Sequence, residues 1–300
     1  MKFECIIIGG GIAGLQAAIQ LGRYRHLVAI IDAGDGRSSL CKNYHNLIGF
    51  PKGVSGPELL ASGKLQAEQL GTVFIQGKVS QAMRDGDDWI LETADGRSFR
   101  GERILLATGV KDRIPDFPML IPCMGISVFV CPDCDGYEVS DSAILVLGSG
   151  NAGARMALVL THWTADIIYV NHELAPIDDS LLAKLKERGI TYHNQAILEV
   201  LANDEQFNGV ALQDGSIILR SRCFLAFGGN EVRSSLAKQL GVQLMKNNHI
   251  IVDPRTKQTN VNNVWAAGDV IAHSEMVTLA MGDGSQAAVW IHKSLIATSK

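Results

Sequence analysis

The stretch CIIIGGGIAGLQAAIQLG, residues 5–22, joins a run of isoleucines to a Gly-x-Gly-x-x-Gly turn and then to a small-residue segment of helical period. Strand, glycine turn and helix in that order open a dinucleotide-binding βαβ unit. Gly9 permits the tight turn, Gly11 lets backbone approach a pyrophosphate, Gly14 packs helix on strand, and the helix amino terminus faces the phosphate charge. Asp32, at the end of VAIID, follows Gly14 by eighteen residues. An acidic residue at about this distance suits the hydroxyls of a ribose. The pattern recurs in AILVLGSGNAGARMALVLTHW, residues 143–163, with Gly148, Gly150 and Gly153.

Short strands broken by hairpin signals follow each copy: Asp85-Gly86 and Asp95-Gly96 after the first, Asn203-Asp204 and Asp214-Gly215 after the second. Each half reads as a βαβ unit plus an antiparallel meander. The expected fold is α/β, two Rossmann-like dinucleotide-binding domains built as three-layer ββα sandwiches. NVWAAGDV (263–270) belongs to neither repeat and reads as a strand ending in Gly268-Asp269. The segment 273–295 after it reads as an amphipathic helix capped by Ser274. PIDDSLLAKLKERGI (176–190), acidic at one end and basic at the other, reads as a well-capped surface helix.

A chain of 300 residues, 47% hydrophobic, has enough apolar mass for two moderate cores. A net charge of -4 without basic runs offers no footprint for nucleic acid or an anionic membrane. No apolar run reaches the roughly 20 residues that span a bilayer. Six cysteines and no export signal point to a reducing cytoplasm.

Two of these cysteines form CPDCDGYE, residues 131–138. Such a pair can grip zinc, close a structural bridge or cycle as a redox couple. Zinc would need two more ligands, and Cys123 and Cys223 do not repeat the spacing. Cys5, Cys41, Cys123 and Cys223 read as small core or near-surface residues. Lys64, His26, His162, His193 and His249 form no constellation with one another.

GGGIAG (9–14), ATG (107–109), CPDCDG, the second glycine fingerprint and AAGD (266–269) stand in one order along the chain. That combination resembles the low-molecular-weight thioredoxin reductase family over essentially the whole length. The resemblance implies an FAD-binding domain from residues 1–114 and 241–300, with an NAD(P)-binding-like domain, 115–240, inserted between them and carrying the CxxC. It also implies a homodimer. In a version that keeps a pyridine nucleotide the inserted domain must swing, and the stretches 110–115 and near Gly228-Gly229 are the candidate hinges. Gly9, Gly11 and Gly14 would cradle the FAD pyrophosphate, and Asp32 would bind the adenosine ribose. Asn46 would lie near the flavin, and Val79 would contact adenine through its backbone. Ala107 and Gly109 belong to the ATG motif; Asp269 would reach the ribityl chain. Met276 and Val277 would present N–H groups to the flavin pyrimidine edge. Cys134 would face the ring, Cys131 would exchange with the partner, and Asp135 would be the acid/base. Thiol exchange requires such a group, because one sulfur attacks as thiolate while another leaves as thiol.

The pattern then breaks. Eighteen residues after Gly153 stands Asn171, neutral where an NAD ribose wants a carboxylate and where an NADP phosphate wants arginines. The family's His-Arg-Arg stretch is here Asn171, His172 and Glu173, followed by Asp178 and Asp179. These carboxylates disfavour NADPH. NADH requires Glu173 in the ribose role; a ferredoxin-type donor is the other route. Glu275-Met276 replaces the family's Arg-Gln pair, keeping the backbone donors and losing a charged contact. NYHN (43–46) resembles flavin dithiol oxidases related to thioredoxin reductases, with His45 a candidate for proton transfer. The expected function is an FAD-dependent thiol/disulfide oxidoreductase serving a thioredoxin-like protein or a small dithiol. The alternatives are a dithiol oxidase using oxygen and a non-catalytic flavin-bound redox sensor.

Overall fold

The computed structural model describes residues 1–272 and 274–298. The chain opens with β1 (Lys2–Ile8), α1 (Ile12–Arg23) and β2 (Val28–Asp32), continues through α2 (Gly56–Gln69) to β3 (Val73–Gln76), and enters a meander of β4 (Val79–Asp85), β5 (Asp88–Thr93) and β6 (Ser98–Leu106). After β7 (Val110–Lys111) and β8 (Val128–Phe129), the plan repeats with a short α3 (Pro132–Asp135) before it. The repeat comprises β9 (Ile144–Gly148), α4 (Gly150–Leu160), β10 (Ile167–Asn171), α5 (Asp179–Glu187) and β11 (Thr191–His193). Its meander is β12 (Ile197–Asn203), β13 (Gln206–Leu212) and β14 (Ile217–Leu219), and β15 (Cys223–Ala226) returns to the sheet. The chain ends through β16 (Glu231–Val232), α6 (Ser235–Gln239), β17 (Val264–Ala266) and α7 (Val277–Thr298).

Two compact units result: residues 1–39, 57–111 and 231 onward, and residues 40–56 with 112–230. The observed crossings, 111/112 and 230/231, differ from the 114/115 and 240/241 boundaries read from sequence. The cause is local: β16 pairs antiparallel with β7, and Leu236 and Ala237 of α6 are buried in the first unit's core. The segment 40–56 clusters with the second unit, where Lys42 N–H donates to the Met124 carbonyl at 3.0 Å.

In the first unit the sheet runs β3-β2-β1-β6-β5-β4, with β17 also on β6. β1 is parallel to both β2 and β6, so its uninterrupted apolar run is covered on both faces, as central parallel strands require. Cys5 and Ile7 pack toward α1 and α7; Phe3, Ile6 and Ile8 pack toward Trp89 and Leu91 of the meander. Burying each isoleucine contributes roughly 1.5–3 kcal/mol. Gly284 of α7 lets that helix lie against α1, since a Cβ there would stand 2.2 Å from the Ala13 carbonyl oxygen.

The second unit has an all-parallel sheet, β11-β10-β9-β15-β8, and a separate antiparallel β12-β13-β14. Leu145 and Leu147 of β9 face the meander, while Ile144 and Val146 face α4. Both units are thus three layers deep. All four hairpin turns fall where the Asp-Gly and Asn-Asp signals predict.

Two helix starts differ from the sequence reading. Met276, not Ser274, is the cap of α7: its carbonyl accepts the Ala280 N–H at 2.9 Å. At α5, Asp178 occupies the cap position but makes no side-chain capping bond.

Candidate active site

The first glycine turn is built by close approaches. Gly9 has φ +106, and a Cβ on it would lie 2.3 Å from the Ala107 carbonyl oxygen; one on Gly14 would lie 2.0 Å from the Gly9 oxygen. These contacts bring Gly9, Gly14 and Ala107 together at the carboxyl ends of β1 and β6. Gly11, by contrast, faces open space, with nothing within 4 Å of its would-be Cβ. Asp32 Oδ1 accepts the Gly10 N–H at 2.9 Å, and a cavity of ≈ 320 Å³ beside it is lined by Gly10, Asp32, Leu60, Lys64, Phe74 and Gln76. Val79 begins β4 three residues beyond Gln76. Gly109, φ +67, accepts the Arg233 N–H on its carbonyl at 3.1 Å.

At the same carboxyl edge of the sheet, where a Cβ on Gly268 would meet the Ala13 Cβ at 2.7 Å, Asp269 follows β17, and Met276 and Val277 stand at the cap and first position of α7. Two residues that sequence reading missed hold this corner. Asp283, 7% exposed, accepts the Gly268 N–H at 3.3 Å and pairs with Lys257 at 2.8 Å. Its signal was a single carboxylate in a helix that carries no other acid. Arg37 reaches Glu275 at 2.6 Å and Asp269 at 3.4 Å, so a guanidinium does stand at the place where the loss of the Arg-Gln pair predicts none. No local pattern announces it, the partners being 238 residues apart.

In the second unit, Cys131 caps α3 and Cys134 lies within it. Both are partly exposed thiols, and the Cys131 thiol donates to the Cys134 sulfur at 2.8 Å. Asp135 N–H donates to the Cys131 carbonyl at 3.0 Å, closing the turn. Gly136 lets the motif sit on the Trp163 indole, which a Cβ would meet at 2.6 Å. The other cysteines behave differently: burial pushes the thiols of Cys5, Cys123 and Cys223 up, away from the reactive thiolate. Asn46 is exposed in the 40–56 segment, outside the unit that holds Gly9. His45 accepts from Asn43 at 2.8 Å and lies 3.5 Å from Glu138, one turn beyond Cys134.

The second glycine turn differs from the first in backbone as well as in neighbours: Gly150, at φ +49, already begins α4, whereas its counterpart Gly11, at φ -74, caps α1. Gly153 packs on Tyr169, whose ring a Cβ would meet at 2.3 Å, and the Tyr169 hydroxyl donates to the Gly150 carbonyl at 2.8 Å. Asn171 is fully buried and accepts the Gly150 N–H at 2.8 Å. Its amide nitrogen donates to the Ala175 carbonyl at 2.8 Å and to Asn194 at 2.9 Å. Glu173 is paired with Arg113. His172 accepts the Ile197 N–H on Nδ1 at 2.8 Å, and burial holds its pKa below the usual histidine value.

The family model described as pyridine nucleotide-disulphide oxidoreductase matches residues 3–284. A thioredoxin reductase of Rickettsia bellii is 28% identical over 97% of this chain and 98% of its own length. Among solved structures, HlmI superposes with a TM-score of 0.89 at 29% identity, covering 99% of this chain and 94% of that one. The thioredoxin reductase of Streptococcus pyogenes gives 0.87 at 25% identity, with 99% of each chain covered. With two glycine turns, a CxxC dithiol and this match along nearly its whole length, the chain belongs to the pyridine nucleotide-disulphide oxidoreductase family and is thioredoxin reductase-like.

Proposed function

We propose that the protein is an FAD-dependent thiol/disulfide oxidoreductase acting on a thioredoxin-like protein or a small dithiol. The observation that carries this reading is the Cys131–Cys134 dithiol, sulfurs in hydrogen-bond contact and followed directly by Asp135. Gly9, Gly11, Gly14 and Asp32 would hold FAD, and the open face at Gly11 with the cavity at Asp32 fits its pyrophosphate and adenosine. Asp269, Met276 and Val277 would serve the flavin end, with Val79, Ala107, Gly109 and Asn46 in supporting contacts. When bound, the flavin supplies or accepts an electron pair.

The thiol steps use this chain's own residues. The Cys131 thiolate attacks a partner disulfide, forming a mixed disulfide and releasing one partner sulfur. Cys134 then attacks Cys131, the Cys131–Cys134 bond closes, and the second partner sulfur leaves. The partner gains two electrons and the two protons that the cysteines lose, and Asp135, the residue after Cys134, would relay one of them. The names of the relatives support a thioredoxin-type partner. The donor in this reading is a ferredoxin-type carrier or NADH rather than NADPH. A second reading, oxidation of a dithiol with oxygen as electron sink, is favoured by the covered second glycine turn. Anaerobic turnover of thioredoxin disulfide by the chemically reduced flavoprotein, lost by about three orders of magnitude in Cys131→Ser and Cys134→Ser, tests the first. Dithiol-driven oxygen consumption without any such turnover would establish the second.

A further inference from the structure

One chain contains the same fingerprint twice, so the first copy is an internal reference for the second. At the middle glycine, where a pyrophosphate must meet backbone, a Cβ added to Gly11 (φ -74) would have nothing within 4 Å, whereas one added to Gly150 (φ +49) would meet the Pro176 carbonyl oxygen at 2.9 Å and the Ala175 Cβ at 3.1 Å. The segment following β10 therefore folds back over the turn. Three sets of bonds hold it there. Asn171 ties the Gly150 N–H to the Ala175 carbonyl through one side chain. Asn151, inside the fingerprint, accepts the Asp178 N–H at 2.9 Å. Arg113 engages Glu173, the carboxylate that NADH would need for its ribose.

We infer that the second glycine turn is a closed structural turn that admits neither NADH nor NADPH, with Asn171 as the latch, which narrows the donor of the proposed function to the ferredoxin-type carrier. Lifting the 173–178 segment would take one acceptor, the Ala175 carbonyl, from a fully buried amide and would part the Asp178 N–H from Asn151, and each hydrogen bond lost without replacement costs stability. A nucleotide phosphate would also arrive beside Asp178 and Asp179, at a glycine amide already bonded. The inference concerns this unit alone and does not depend on the thiol chemistry.

Calorimetric titration of the FAD-loaded protein with NADPH and with NADH tests it. No saturable heat is expected from either up to about 1 mM, the upper end of ordinary substrate affinities. Saturable binding of either nucleotide below that concentration overturns the inference. In Asn171→Ala, amide exchange at Gly150 and Asp178 is expected to rise at least about tenfold as the segment opens; unchanged exchange at both would remove Asn171 from the latch role. The wild-type titration stands even if that variant fails to fold. Bleaching of the flavin by dithiothreitol in the same sample reports the thiol–disulfide reading separately, because it does not involve the Gly150 turn.

Discussion

Gly11 and Gly150 occupy one position in one motif, and substitution should separate their roles. Gly11 has φ -74 and ψ -172, a conformation that alanine adopts freely, and its Cβ would project into open space. Gly11→Ala apoprotein should melt within about 2 °C of wild type. The added methyl, however, occupies the approach of a pyrophosphate, so the variant should lose most of its bound FAD when purified. Full flavin content in Gly11→Ala would contradict the assignment of this turn. Gly150 sits at φ +49 beneath Pro176, so Gly150→Ala should destabilise by about 1–2 kcal/mol without changing flavin content.

The helices that carry chemistry are placed by glycines against neighbouring elements rather than by their own propensities. α3 is only one turn long and cannot hold itself; its position follows from Gly136 resting on Trp163. α7 lies on α1 through Gly284, and its amino terminus presents Met276 and Val277. Alanine at 284 would drive a methyl to 2.2 Å from the Ala13 oxygen and 3.1 Å from the Ala17 nitrogen, both backbone atoms that cannot rotate away. Gly284→Ala should cost about 1–3 kcal/mol and weaken flavin retention together. A stable variant with unaltered flavin affinity would show that the α1–α7 contact does not position the site.

Over the whole chain, pH should act through two partly buried histidines, one in each unit. Burial lowers the pKa of His172, against a smaller opposing effect of Glu173. Burial, then His26 and Lys293, lower that of His292, which shares a 2.8 Å contact with His26. Both folded values lie below the unfolded value of 6.5, so near that pH the unfolded chain binds more protons. Their stabilisation is complete above the unfolded pKa and declines as pH falls below it. The melting temperature should therefore drop between about pH 7.5 and 5.5. His172→Asn keeps an acceptor for the Ile197 N–H and cannot titrate, so its melting temperature should vary less with pH. Equal slopes for variant and wild type would exclude His172.

Much of this was legible beforehand because it is local. Strand runs, Gly-x-Gly-x-x-Gly turns, Asp-Gly hairpins and the CxxC each encode a backbone conformation within a few residues, and their order along the chain resembles one family. Asn171 was legible as a missing charge, but not as a latch, since its partners Gly150, Ala175 and Asn194 are assembled by three separate segments. Arg37 beside Glu275 and the 40–56 segment beside Met124 were likewise hidden. Two copies of one motif each announce a strand, a glycine turn and a helix, although the first bends at positive φ at Gly9 and the second at Gly150. Whether a phosphate can reach that turn depends on what distant chain lies across it, and that is a property of packing.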